Sequence, residues 1–106
     1  MNTDSEHELM PAIIGELRNI FDPEIPVNIY DLGLIYKINI SDDGMVNIEM
    51  TLTTPGCPVA QTFPGMVQDH ILKVEGVTGA HIELVWEPPW TRDNMSDAVK
   101  LQLGML

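Results

Sequence analysis

The sequence predicts a compact α+β domain, with helices packed mainly on one face of a three-stranded mixed sheet. Three segments carry apolar residues at helical spacing and three alternate apolar with polar residues, in the order α-β-β-α-β-α. The alternating segments need one covered and one solvated face. The 106 residues suit one hydrophobic core. We therefore expect residues 1–106 to form a single domain.

The first element is predicted to be a helix from about Leu9 to Ile20. Apolar side chains recur there at every third or fourth position, which is the spacing of one helix face. Pro11 fits the first turn, where a proline loses no hydrogen bond. The Asp22-Pro23 pair disfavours helix beyond that point, so we expect the helix to stop before it.

A β-hairpin is predicted next. Residues 34–40 alternate between apolar and polar side chains, and residues 46–53 do the same. Asp42, Asp43 and Gly44 lie between the two runs and supply turn chemistry suited to a hairpin.

The second half of the chain is predicted to form a helix, a strand and a second helix. Apolar residues line one face over residues 58–74, although Pro64 should kink that helix because it cannot donate a backbone hydrogen bond. Residues 80–86 alternate as a third strand, and a last helix over about 93–103 closes the chain. The second and third strands flank a helical crossover, which should be right-handed.

Composition and charge exclude several classes of function. Five Lys and Arg residues stand against sixteen Asp and Glu, a net charge of -11, and the cations form no cluster. Binding to nucleic acid or anionic membrane needs a basic surface, so neither partner is expected. No apolar run reaches the ~20 residues of a membrane span, and the polar N-terminus does not resemble a signal peptide. We expect a cytoplasmic protein.

Cys57 is the only cysteine in the chain. A single cysteine cannot form an intrachain disulfide, and it cannot supply the four thiolates of a tetrathiolate metal site. Its position between a strand and a helix favours an anion such as a thiolate, but a helix end contributes only about 0.3–1 kcal/mol. A soft ligand, or a thiol that exchanges metal or sulfur, is therefore a better functional interpretation than a strongly activated nucleophile. The alternative is a half-buried cysteine that merely packs.

Asp22 and Glu24 flank Pro23 in a segment that its prolines hold extended. Residues two apart point the same way in an extended chain, so both carboxylates could serve as metal ligands or handle protons. The alternative is a rigid helix-stopping turn with solvated acids. Asp31 could be a neighbour of the ligands or an ordinary loop cap, and the pattern favours the cap.

Other chemistry-bearing residues have structural interpretations. His70 lies on the apolar stripe of the second helix and is expected to be a satisfied core histidine. His81 and Glu83 should face solvent. Trp86 and Trp90 could form a docking edge for a partner or an aromatic corner. No nucleophilic triad, phosphate loop or zinc-protease spacing is present.

Two segments carry a family resemblance: FDPEIPVNIYDLGLIY at residues 21–36 and MTLTTPGCP at residues 50–58. Together they resemble the small metal-sulfur cluster assembly family that includes SufT-like and PaaD-like proteins. The segments VWEPPW at 85–90, MSD at 95–97 and LQLGM at 101–105 look closest to the SufT-like members. The resemblance covers nearly the whole chain and implies a compact α+β fold.

The resemblance also implies a site and a function. The family's site residues fall on Asp22, Glu24, Thr53, Thr54 and Cys57. Such proteins are implicated in the maturation of iron-sulfur clusters and have no agreed catalytic reaction. We therefore expect an accessory factor, non-enzymatic or only marginally catalytic, that binds iron or a cluster transiently and works with assembly machinery or apo-client proteins.

Specific roles follow for these residues. Cys57 would be the sulfur ligand, Asp22 and Glu24 hard co-ligands, and Thr53 and Thr54 would hold the loop or hydrogen-bond the sulfur. A cluster normally needs about four protein ligands, so it would be shared with a client or within a weak homodimer. One rival is an accessory protein of a multicomponent oxygenase of aromatic degradation. A thiol-dependent enzyme is disfavoured, because no histidine is placed to activate Cys57.

Overall fold

The computed structural model describes residues 8–22, 25–53 and 62–104. The elements follow the predicted order: α1 (Met10–Leu17), β1 (Ile35–Ile40), β2 (Met45–Met50), α2 (Phe63–Leu72), β3 (Gly79–Leu84) and α3 (Asp97–Gln102), with a 3-10 turn at Arg92–Asn94 before α3. The predicted α+β class and element order are confirmed. Within the described ranges, no helix is long and apolar enough to cross a membrane.

The strands form a mixed sheet in the order β1-β2-β3. β1 and β2 are antiparallel, with Ile38 opposite Ile48, while β2 and β3 are parallel, with Ile48 opposite Ile82. The hairpin turn depends on Gly44, whose φ is +90° and whose Cβ, if present, would lie 2.3 Å from the Gly76 carbonyl oxygen. A side chain at position 44 would therefore disrupt the turn.

The core lies between one face of the sheet and the helices. Alternate strand residues point to this face, as predicted, and they are buried: Ile38, Ile40, Val46, Ile48, Met50 and Ala80. The helices supply Ile13, Leu17, Val67 and Ile71. The opposite face is polar, and there Lys37 Nζ lies 3.6 Å from Glu49 Oε2 on the neighbouring strand.

α2 differs from its predicted form because it begins at Phe63, with Thr62 as the N-cap residue. Pro64 therefore lies in the first turn, where its missing N–H costs no helical hydrogen bond. The kink predicted at Pro64 was wrong for this reason. The predicted helical residues before 62 fall in 54–61, outside the described residues.

The C-terminal helix predicted over about 93–103 is divided in the structure. A 3-10 turn ends at Asn94, and α3 starts only after Ser96. The Ser96 hydroxyl accepts a hydrogen bond from the Val99 N–H at 3.3 Å. Serine at this N-cap position satisfies a free backbone donor, which explains why the helix restarts here.

Candidate functional site

Asp22 lies directly after a short bridge between Phe21 and Asn28. Its side chain is buried, at 6% exposure. One carboxylate oxygen, Oδ2, accepts the Ile25 N–H at 2.8 Å, and the Asp22 N–H donates to the Val27 carbonyl at 3.1 Å. Asp22 thus organises its own turn and is not the solvated acid of the structural alternative. Glu24 lies outside the described residues, so the predicted pairing of the two carboxylates stays a prediction.

Asp31 is fixed by contacts with Asn28 and Arg18. Its Oδ2 accepts a hydrogen bond from Asn28 Nδ2 at 2.9 Å, and its N–H donates to Asn28 Oδ1 at 2.8 Å. Arg18 Nε lies 3.4 Å from Asp31 Oδ1, and the Arg18 guanidinium carbon lies 5.1 Å from the centroid of the Tyr30 ring. This geometry fits the predicted loop cap, and it fixes the segment that precedes β1.

Residues 51–54, here called the threonine run, follow β2 directly in the sequence. Leu52 is buried and Thr53 is half-buried. Thr54 and Cys57 lie outside the described residues, so their proposed contacts remain predictions.

Backbone hydrogen bonds connect the Asp22 segment to the threonine run. The Ile29 N–H donates to the Ile20 carbonyl at 2.9 Å, and the Leu34 N–H donates to the Ile29 carbonyl at 3.1 Å. The Thr51 N–H then donates to the Leu34 carbonyl at 2.9 Å. The structure therefore brings two of the predicted site segments to the same end of the sheet, where β2 ends and β1 begins.

Thr51 is a residue that the sequence analysis missed. Its place in an alternating strand predicted an outward, solvated side chain, but it is 1% exposed. Its hydroxyl has no hydrogen-bond partner in the described part of the chain. A buried hydroxyl left unpaired costs about 1–3 kcal/mol. The only sequence signal was its position in the run that leads to Cys57.

The segment after β3 packs against the residues around Gly33. Trp90 Nε1 donates to the Leu32 carbonyl at 2.8 Å, and the Tyr36 hydroxyl donates to the Pro88 carbonyl at 2.8 Å. Partial burial raises the pKa of Tyr36. Trp90 is thus part of a packed corner, whereas Trp86 is 39% exposed.

The histidines match their predicted structural roles. His70 is partly buried, and its Nδ1 lies 2.7 Å from Glu16 Oε1, which joins α2 to α1. His81 and Glu83 are exposed on the polar face of the sheet, with His81 Nε2 4.0 Å from Glu83 Oε1. His81 lies opposite Asn47 in the middle of β2, whereas Glu83 lies opposite Glu49, two residues before Thr51.

No three His, Cys, Asp or Glu side chains of the described residues are arranged to hold a metal ion. Glu24 and Cys57 lie outside those residues, so the predicted ligand set is not tested by this. An open cavity of about 470 Å³ is lined by Glu8, Asp42 and Asp43. It lies by the hairpin turn, at the opposite end of β2 from Thr51.

Comparison with known proteins gives consistent matches. A family model described as iron-sulfur cluster assembly protein matches residues 11–83. An Fe-S protein maturation auxiliary factor of Porphyromonas gingivalis is 48% identical over 89% of this chain and 90% of its own length. The Fe-S protein maturation auxiliary factor SufT of Staphylococcus aureus is 37% identical over 81% of this chain and 98% of its own. These matches confirm the resemblance to SufT-like proteins.

A solved structure has the same fold as this chain. A domain of unknown function from Bacillus anthracis superposes with a TM-score of 0.81 at 32% identity, covering 91% of this chain and 92% of that one. This likeness confirms the predicted α+β architecture.

Proposed function

This chain belongs to the iron-sulfur cluster assembly protein family, and from that membership we propose that it is an accessory factor which helps to assemble, deliver or repair iron-sulfur clusters in other proteins. The observation that carries the proposal is the 48% identity, over nearly the full length of both chains, to a protein named as an Fe-S protein maturation auxiliary factor. The same similarity favours this role over an accessory function in an aromatic oxygenase.

We propose that Cys57 is the ligand at the centre of this activity. Thiolates are the usual protein ligands of iron-sulfur clusters, and the chain has only one. Its place of action would be the reducing cytoplasm, where a lone thiol stays free. Iron or a cluster is then cargo that passes through the site.

Asp22 and Glu24 would supply oxygen ligands beside Cys57, and Thr53 and Thr54 would hold the loop or hydrogen-bond the sulfur. Support comes from the burial of Asp22 and from the hydrogen bonds that connect its segment to the threonine run. Burial strengthens electrostatic interactions by lowering the local dielectric constant.

The single cysteine also bears on the partners. A stable cluster needs about four protein ligands, so we propose that it is shared between two copies of this chain or with the thiols of an apo-client. The net charge of -11 opposes self-association, which fits a weak homodimer that forms when iron neutralises the acidic site. A cluster held in this way would be labile, as a carrier requires.

Complementation of a deletion strain tests the proposed function. Cys57→Ser should fail to restore the activity of iron-sulfur enzymes in cell extracts. Its protein level and its thermal unfolding temperature should equal those of the wild type, which would show that the variant folds. Asn47→Ser, on the exposed polar face of β2, is the matched control and should complement fully. Full complementation by Cys57→Ser would show that the site has been wrongly assigned.

A further inference from the structure

The two outer strands of the sheet differ in how their edges are protected. Within the described residues, β1 and β3 each have one side without a neighbouring strand. β1 has a bulge between Ile35 and Lys37, and Lys37 lies in its middle. Bulges and lysines are features that keep an edge strand from pairing with another chain. β3 pairs with β2 in regular register over six residues and contains neither lysine nor proline, so its edge lacks this protection.

Alternate residues of β3 turn their backbone groups to the open edge. The Met50 carbonyl of β2 accepts the Val85 N–H at 2.8 Å. Because the backbone direction alternates along a strand, the odd-numbered residues of β3 bond to β2. The N–H and C=O groups of Ile82 and Leu84 therefore point away from β2, and no hydrogen bond from the described part of the chain reaches them.

Gln68 marks one end of this open edge. Its Nε2 donates to the Ala80 carbonyl at 2.7 Å, which is a bond that a neighbouring strand would otherwise supply. The same bond places one side of α2 beside β3. Leu72 lies four residues after Gln68, on the same helix face, and is 45% exposed. The open edge is thus limited to Ile82 and Leu84, with α2 beside it.

The side chains at this edge leave apolar surface uncovered. On β2, Ile48 and Met50 are at most 1% exposed. Beside them on β3, Ile82 and Leu84 face the same core but are only half-buried. We call Leu72, Ile82, Leu84 and the outward backbone groups of β3 the β3 edge surface. An extended segment that pairs with β3 would bond these backbone groups and cover these side chains.

Charges on the polar face of the sheet indicate what this segment carries. Lys37, Glu49 and Glu83 lie side by side across the three strands. Lys37 Nζ lies 3.6 Å from Glu49 Oε2, whereas Glu83 is approached, among the described residues, by His81 Nε2 at 4.0 Å. Opposite charges directly across two paired strands are stabilising. A Lys or Arg across from Glu83 would therefore complete this row.

The sequence argues against the chain itself as the source of this segment. No Lys or Arg occurs in β3 or in residues 1–7, 23–24, 54–61 and 105–106, which lie outside the described residues. Two copies paired through β3 would also bring together chains of net charge -11. We propose that the β3 edge surface docks a partner protein, which adds an extended segment of alternating apolar and basic residues as a fourth strand. This inference goes beyond the proposed function and does not depend on Cys57.

Amide hydrogen exchange of the full chain, followed by NMR, tests the inference with a synthetic probe. The probe is a capped eight-residue peptide of alternating Val and Lys, and the control peptide carries Glu in place of Lys. At saturation with the probe, the Ile82 and Leu84 amides should exchange at least about tenfold more slowly. The Ile38 amide on β1 should be unaffected. The control peptide should protect none of these amides at the same concentration.

Two charge reversals test whether binding depends on the position of the acid. Glu83→Lys should weaken binding of the Val-Lys peptide about fivefold or more in an NMR titration. Asp93→Lys changes the net charge equally, but Asp93 lies in the 3-10 turn whose Asn94 contacts Tyr36 of β1, so it should bind within about twofold of the wild type. Cys57→Ser should bind as the wild type does, which separates this inference from the proposed function.

Several results would overturn the inference. One is a lack of protection at Ile82 and Leu84 when the Val-Lys peptide is added. Another is equal weakening by Glu83→Lys and Asp93→Lys, which would show attraction to net charge alone. A third is protection of Ile82 and Leu84 in the free protein. If that protection rises with protein concentration, a second copy occupies the edge, and if it does not, residues of the same chain cover it.

Discussion

Gly33 allows a sharp test of how the segment after β3 is fixed. Its φ is +85°, and a Cβ at this position would lie 2.2 Å from the Asn94 carbonyl oxygen. A non-glycine residue in the left-handed region costs about 1–2 kcal/mol. The contact adds to that cost, because the obstacle is backbone and cannot rotate away. Gly33→Ala should therefore lower the free energy of unfolding by about 3 kcal/mol or more.

Gly15 provides the matched control for this substitution. It lies in the helix α1, its φ is negative as in an ordinary helix, and a Cβ there would meet no atom within 4 Å beyond the adjacent residues and the helix backbone. Gly15→Ala should stabilise the protein by about 0.5–1 kcal/mol. Urea unfolding of both variants, followed by circular dichroism, measures the difference. A loss below about 1 kcal/mol for Gly33→Ala would refute the reasoning, because the left-handed conformation alone should cost that much.

Two further predictions concern Tyr36 and the acidic segment. Tyr36→Phe should cost about 1 kcal/mol, because the hydroxyl donates to the Pro88 carbonyl at 2.8 Å. Burial raises the pKa of Tyr36 above that of a free tyrosine, so the stability that the neutral hydroxyl contributes should be lost as the pH rises through the raised pKa. Urea unfolding at a series of pH values should therefore show the free energy of unfolding of the wild type approaching that of Tyr36→Phe at high pH. A constant difference between the two proteins across this pH range would contradict the reasoning. Asp22→Asn with Glu24→Gln should weaken iron retention after reconstitution but leave folding intact, since the amide oxygen introduced at position 22 could still accept the Ile25 N–H. An unchanged iron stoichiometry would show that Asp22 and Glu24 are not iron ligands and serve only to form the turn.

The sequence predicted those parts of the fold that depend on local periodicity. The alternation in residues 46–53 correctly identified Val46, Ile48 and Met50 as core residues. It failed at Thr51, because a period of two tells which face a residue occupies but not what covers that face. The start of α2 was missed because Pro64 fits a first turn as well as it breaks a helix interior.

Contacts between distant parts of the chain could not be predicted from the sequence. Trp90 bonds to the carbonyl of Leu32, and Gly33 lies against Asn94. Neither pairing leaves a local pattern, so Trp90 could be predicted only as either a docking or a packing residue. The candidate site was predicted largely from its family resemblance. The burial of Asp22 and its hydrogen bonds depend on tertiary structure that the periodicity of the segment does not reveal.

Native mass spectrometry after anaerobic reconstitution tests the central claim, that Cys57 holds iron-sulfur cargo which one chain cannot hold alone. The wild type should be monomeric or weakly dimeric before reconstitution, and afterwards the cluster mass should appear on a species of two chains. Cys57→Ser should carry none. An intact cluster on a single wild-type chain would contradict the sharing of ligands, and a cluster on the Cys57→Ser protein would contradict the site itself.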